Sequence, residues 1–187
     1  MVDKKADLAG PGVGDYDEIE KILSQDYESI HHGNTEKVAR AIAEVLGVDL
    51  KKISKVEAKE LIKYDLIGFG SGIYYGRHHK KIFDLLKQLP DQKGRKVFIF
   101  STSGIRKLLL INNFNKPLEK KLKDRGFEIL GIFDCRGWDT YSFIVKPFGG
   151  ISKGRPNNRD IEDAKEFAER VKNIFLKNNY RFTTIAT

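Results

Sequence analysis

The run Ser29-Ile30-His31-His32-Gly33-Asn34-Thr35 sets a glycine turn directly before an amphipathic helix, because Val38, Ile42, Val45 and Leu46 follow at helical spacing. A helix start of this kind is an anion site. Its first N–H groups have no partner within the helix, and the macrodipole favours negative charge there. Asn34 and Thr35 add side-chain donors and can cap the helix. No Lys or Arg occurs in the run before Lys37, so backbone groups would do most of the holding, as in a nest. Two further stretches have related chemistry. Ser71-Gly72-Ile73-Tyr74-Tyr75-Gly76-Arg77 follows the apolar Leu66-Ile67-Gly68-Phe69-Gly70, and Ser101-Thr102-Ser103-Gly104 ends the apolar Val97-Phe98-Ile99-Phe100. One loop could hold a phosphate and the other two could flank a flat ring. Glycine lets backbone approach such a ring closely, and Tyr74 or Tyr75 could stack on it. The plain alternative is three tight strand-to-helix turns, with the tyrosines packed on the rim of a sheet.

The elements that must carry these loops alternate. A strand is expected somewhere in Ile19 to Ile30, although Ser24, Gln25, Asp26 and Glu28 interrupt its apolar residues. A strand buried on both faces should be nearly all apolar. The helix after Thr35 stops at Gly47, a C-cap residue, and Val48 to Ile53 reads as a second strand. Ser54-Lys55-Val56-Glu57 has the form of a capping box opening a short helix. Strands follow at Leu66 to Gly70, Val97 to Phe100 and Ile129 to Phe133. Helices carry Ile82, Leu85, Leu86 and Leu89, then Leu118 and Leu122 after Pro117, with Gly126 closing the latter. Leu108 to Ile111 is a further apolar run. Gly137 to Pro156, with Trp138, Tyr141, Phe143 and Phe148, is irregular. The final helix begins near Asp160 and shows an apolar stripe of Ile161, Ala164, Ala168, Val171 and Phe175. About five strands alternating with helices predict a parallel sheet covered on both faces. In such a sheet, ligands bind outside the carboxyl ends of the strands, which is where all three loops would lie.

A chain of 187 residues with 40% hydrophobic content can bury a core without staples. Residues 1–16 are polar and glycine-rich and read as a tail, 17–180 as one domain, and 181–187 as a second tail. Cys135 is the single cysteine, which excludes an internal disulfide and a cysteine-based metal motif, and fits a reduced, cytosolic setting. The N-terminus lacks the apolar run of a signal peptide, and no stretch reads as a membrane span. Net charge is +8, but the 34 basic residues are interleaved with 26 acidic ones, so a solvated basic surface is expected rather than a nucleic-acid interface.

Histidines occur as two pairs, His31-His32 and His78-His79, each beside a proposed ligand loop. No carboxylate or cysteine joins them at a ligand spacing, so loop polarity and helix-start hydrogen bonds are expected in place of a metal site. Cys135 is expected to be a small buried hydrophobe. Trp138 and Tyr141 could cover a ligand or simply pack their own segment. Arg77 and Arg136 are expected at the solvated surface, where they could meet an anion.

The segment His31-His32-Gly33-Asn34-Thr35-Glu36-Lys37-Val38-Ala39 resembles the phosphate loop of the flavodoxin family. Tyr64 to Gly76 and Lys96 to Gly104 resemble its second and third flavin loops. The similarity resumes at Phe133 to Thr140 and at Lys153 to Asn157, so it covers most of the chain from about Tyr27 to Lys177. The resemblance implies a three-layer αβα sandwich around a five-stranded parallel sheet in the order 2-1-3-4-5, and one FMN bound without a covalent link. It implies that Ser29, His31, His32, Gly33, Asn34 and Thr35 surround the phosphate. Ser71, Gly72, Ile73, Tyr74, Tyr75 and Gly76 would form the second loop, and Ser101, Thr102, Ser103 and Gly104 the third. Gly33, Asn34 and Thr35 match the family pattern, whereas Ile30, His31 and His32 stand where hydroxyl residues commonly sit. The imidazoles could replace those donors. Typical flavodoxins are acidic, and this chain is basic.

The function this implies is electron transfer between redox partner proteins, with no catalytic side chain required because flavin supplies the chemistry. Two alternatives share the scaffold. One is a reductase that takes hydride from NAD(P)H to a flavin or quinone. The other is a non-enzymatic binding module with a degenerate flavin site.

Overall fold

The computed structural model describes residues 21–25, 33–105, 113–140 and 149–184. Six strands occur among them: β1 (Lys21–Gln25), β2 (Asp49–Lys52), β3 (Leu66–Tyr74), β4 (Arg77–His78), β5 (Lys96–Ser103) and β6 (Glu128–Arg136). The helices are α1 (Asn34–Leu46), α2 (Ala58–Leu61), α3 (Lys80–Gln88), α4 (Lys116–Asp124) and α5 (Asn158–Thr184). The sheet runs β2-β1-β3-β5-β6, with every neighbouring pair parallel. Counting these five strands alone, the order is the expected 2-1-3-4-5. The addition is β4, a two-residue strand antiparallel to the end of β3.

Side-chain alternation builds the three layers. In β5, Val97 and Ile99 face one core together with Ile67 and Phe69 of β3. That core is closed by Ile82, Leu85 and Leu86 of α3 and by Leu118 and Leu122 of α4. Phe98 and Phe100 face the opposite core with Leu66, against Val38 and Ile42 of α1 and Ala164, Phe167, Ala168, Val171 and Phe175 of α5. A strand covered on both faces needs apolar residues at successive positions, and β3 and β5 supply them. Gly70 is forced by this packing. A Cβ there would fall inside the ring of Phe100 on the adjacent strand.

Several sequence expectations change. The first strand forms between β2 and β3 from Lys21–Gln25, so Gln25 is inside it; Asp26 and Glu28 lie outside the described residues. Ser54 to Glu57 is not a capping box. Ile53–Lys55 turns as a 3-10 helix, and Glu57 is the N-cap of α2 without a side-chain cap bond. The predicted loop from Ser71 to Arg77 is largely strand. β3 continues through Tyr74, and only Tyr75 and Gly76 turn before β4. Both turn residues have positive φ, 49° and 73°, which is the two-residue hairpin geometry whose twist matches its flanking strands. Ser101 to Ser103 likewise belong to β5, leaving Gly104 beyond it. The irregular stretch after Gly137 contains a bridge between Asp139 and Ile151. Gly47 caps α1 in the left-handed region as expected, its N–H donating to the Ala43 carbonyl. Leu108 to Ile111, Tyr141, Phe143 and Phe148 lie outside the described residues.

Candidate functional site at the carboxyl rim of the sheet

Parallel strands end at a common rim, and register fixes which residues meet there. Ser71 pairs with Ser101, Gly72 with Thr102, Thr102 with Cys135, and Ser103 with Arg136. The second and third stretches are therefore neighbours by strand pairing alone. The start of α1 joins them through a side chain. Thr35 and Thr102, both buried, have their hydroxyl oxygens 2.8 Å apart. Two hydroxyls share this bond, so the accepting one keeps a hydrogen to offer onward. Asn34 makes a second link, its Nδ2 donating to the Trp138 carbonyl at 2.8 Å. Gly137 is needed for that approach, because a Cβ there would crowd the Asn34 amide.

Asn34 and Thr35 therefore do not cap α1. The N-cap is Gly33, in the left-handed region at φ 59°, with no side-chain cap bond. Both side chains instead reach across the rim. The amide groups of the first turn, from Asn34 to Glu36, have no partners within the helix. Glu36 is the acidic residue of that turn, and Arg40 one turn on holds its carboxylate at 2.6 Å, which lessens its repulsion of an anion. Ser29, His31 and His32, expected around the same turn, lie outside the described residues.

The second stretch is more built than its sequence suggests. Ser71 donates its hydroxyl hydrogen to the Gly72 carbonyl at 2.9 Å and accepts from the His79 N–H at 3.3 Å. Its Oγ also lies 2.9 Å from Nδ1 of His78. His78 Nε2 lies 2.7 Å from the Asn115 side-chain oxygen. Ser101 Oγ reaches the same Asn115 oxygen at 3.4 Å. Ser71, His78, Ser101 and Asn115 are all buried. Tyr74 meets His79 edge-on with ring centres 6.2 Å apart, while Tyr75 at the hairpin tip is 89% exposed. Ile73 and Gly76 complete the hairpin, pairing with His78 and turning at φ 73° respectively. His79 also receives the Lys81 N–H on Nδ1, capping α3. Among the described residues no three His, Cys, Asp or Glu side chains gather in a cluster suited to a metal ion.

The third stretch ends in contacts with the segment after β6. Ser103 Oγ donates to the Ile105 carbonyl, and Ser152 Oγ donates to that of Gly104. A Cβ on Gly104 would collide with Asp139, so glycine is needed for this close approach. Trp138 packs its own segment, donating Nε1–H to the Gly149 carbonyl with Lys153 over its ring. Cys135 is partly buried against the α1 and α5 core. Burial, with Asp160 and Asp134 adding, pushes its thiol up to about 12, so it is not a thiolate nucleophile.

Sequence reasoning missed Asn115, because an Asn just before a helix reads as ordinary cap chemistry. It also missed that His78 is internal while its neighbour His79 is not. Two open clefts, of about 430 and 590 Å³, lie elsewhere, along β2 and between α2 and α3. Neither is lined by any of the rim residues.

A parallel sheet of this order, with a helix start and a glycine hairpin at its carboxyl rim, defines the doubly wound α/β class. The match to a family model is more specific: the flavodoxin domain aligns with residues 27–133, and the chain belongs to that family. An uncharacterized protein of Methanocaldococcus jannaschii is 52% identical over 145 residues, which span 78% of this chain and 94% of that protein. Solved structures agree in fold. A flavodoxin from the domain Archaea superposes with a TM-score of 0.56 at 18% identity, covering 82% of this chain and 99% of that one. Oxidised flavodoxin 2 from Bacillus cereus gives 0.60 at 22% identity, covering 82% and 98%. The flavodiiron core of Flv1 from Synechocystis gives 0.61 at 17% identity, covering 86% of this chain but 37% of that one. Flavin binding is the general property of the family.

Proposed function

We propose that this chain binds one FMN non-covalently at the rim and carries electrons between redox partners. One observation carries the reading: the Thr35–Thr102 hydroxyl contact brings the start of α1 to the end of β5, beside Gly72. Phosphate-type donors and a ring-sized glycine edge are thereby in one place. The residues fit the group. The first-turn amides of α1 suit a phosphate. The side-chain oxygen of Asn34 is buried without a partner among the described residues, and an acceptor there suits a hydroxyl of a ribityl chain. The hairpin from Ile73 to Gly76 and the edge Ser101 to Gly104 would border the ring.

Bound flavin supplies the one- and two-electron chemistry. The chain's own residues hold and orient it. The α1 amides and Thr35 would fix the phosphate, Asn34 the connecting chain, and the tyrosine hairpin would shield one side of the ring from water. Net charge of +8 favours an acidic protein as redox partner. Among the described residues no helix is long and apolar enough to cross a membrane.

The test is the visible spectrum of the protein purified without added cofactor, followed by titration of flavin-free protein with FMN. Flavin absorption that copurifies, or tight uptake of FMN, is expected. A colourless protein that ignores added FMN would leave a binding module with a degenerate site. Steady consumption of NAD(P)H with a quinone would instead identify a reductase.

A further inference from the structure

The buried group Ser71, His78, Asn115 and Ser101 is not explained by holding a phosphate or a ring. It lies beneath the hairpin and ties four elements together: β3, β4, β5 and the approach to α4. Hydrogen counting specifies its state. Ser71 has one hydroxyl hydrogen, already given to the Gly72 carbonyl. Its contact with His78 must therefore be Nδ1–H donating to Ser71 Oγ. The other ring nitrogen, Nε2, faces the neutral side chain of Asn115. With both nitrogens against neutral groups, a neutral ring leaves Nε2 as an acceptor.

The Asn115 amide decides the rest. With its oxygen toward His78, Nε2 would also need a hydrogen, and the ring would carry a buried charge. Amide oxygen and nitrogen are distinguished by their hydrogen-bond partners. Turned by half a rotation, the amide donates one N–H to His78 Nε2 and directs the other toward Ser101 Oγ. Both nitrogens of the ring are then satisfied without a buried charge, which is costly to keep away from water.

We infer that His78, as the neutral Nδ1–H tautomer clamped between Ser71 and Asn115, is a positioning residue that locks the Tyr74–Tyr75 hairpin against the sheet for flavin-ring recognition. This rests on the FMN reading for its ligand, but not for its geometry. The lock acts through the hairpin, so its effect belongs to the ring and not to the phosphate. His78 is 4% exposed, and its ring nitrogens meet Ser71 of β3 and Asn115 before α4. A glutamine places an amide donor and acceptor in similar positions and can bridge the same two partners, whereas phenylalanine fills the space without either.

The experiment has two arms. In flavin-free protein labelled with nitrogen-15, the ring of His78 is expected to show a protonated Nδ1 that exchanges slowly with solvent, and a pyridine-like Nε2. A protonated Nε2, or a signal averaged between tautomers, would overturn the lock. In the second arm, His78→Phe and His78→Gln are titrated with FMN and with riboflavin. His78→Phe is expected to weaken both ligands by the same factor, about tenfold for two lost buried hydrogen bonds, and His78→Gln to recover most of that loss. Unchanged affinity in His78→Phe, or loss confined to FMN, would overturn the proposal. If His78→Phe does not fold, the glutamine variant and the ring signals still decide. If the unaltered protein takes up neither flavin, the functional reading fails while the ring signals continue to test the lock.

Discussion

Thr35 in the first turn of α1 and Thr102 at the end of β5 are separated by 67 residues, yet their hydroxyl oxygens are 2.8 Å apart in a buried contact. The bond fixes the helix start relative to the sheet edge. Removing it by Thr35→Ala is expected to weaken FMN about tenfold or more, since a donor beside a dianionic phosphate makes a charge-assisted hydrogen bond. Riboflavin, which lacks the phosphate, should lose much less. Parallel titrations of the two ligands measure this, and equal losses would place the phosphate elsewhere.

Gly70 lies opposite Phe100 in the β3–β5 pairing, where an added methyl would enter the aromatic ring. Gly70→Ala is expected to destabilise the fold by about 1–3 kcal/mol, the range of overpacking in a filled core. Urea denaturation checks it. Phe100→Leu in the same chain should recover part of the loss, because the smaller side chain vacates the clash; an additive double variant would locate the strain elsewhere.

The layers were legible in the sequence because β3 and β5 are buried on both faces and must be written in apolar residues, as Leu66 to Phe69 and Val97 to Phe100 are. The five-strand order came from family resemblance, not from periodicity. The hairpin was not legible. Glycine at 70, 72 and 76 suggests a loop, but pairing with β5 extends order through Gly72 and pairing with β4 through Tyr74, and Phe100 needs the space that Gly70 leaves. The capping box at Ser54 failed because Ile53 is buried and draws the chain into a 3-10 turn, which moves the helix start to Ala58. Of the site residues, Gly33, Asn34 and Thr35 were placed at the rim by the motif. What Asn34 and Thr35 touch, the Trp138 carbonyl and Thr102, depends on tertiary contacts that no local pattern encodes.

Cys135 offers a pH test with a definite sign. Burial raises its folded-state value from 9.0 to about 12, so between those limits the unfolded chain has lost a proton that the folded chain retains. Fewer bound protons in the unfolded state make stability fall as pH rises. The contribution is absent below about pH 8 and grows from about pH 9 upward. Denaturation midpoints at pH 8, 9 and 10 should decline more steeply for the unaltered protein than for Cys135→Ala. Identical slopes would mean the thiol ionises as freely in the fold as outside it.

Tyr75 occupies a left-handed position, φ 49°, with its side chain 89% exposed at the tip of the hairpin. A two-residue turn with both φ values positive favours Asn-Gly over Tyr-Gly, since asparagine tolerates the left-handed region better. Tyr75→Asn should therefore stabilise the flavin-free protein, by about 1 kcal/mol at most for relief at one residue. The same change removes an aromatic face from the proposed ring site, so affinity for FMN and riboflavin should fall together. Opposite signs for stability and binding are the diagnostic result, read by urea denaturation and flavin titration on the same preparation. A variant both more stable and equally able to bind flavin would show that the tyrosine has no contact with the ring, and would leave Tyr74 to supply any stacking from that side of the rim.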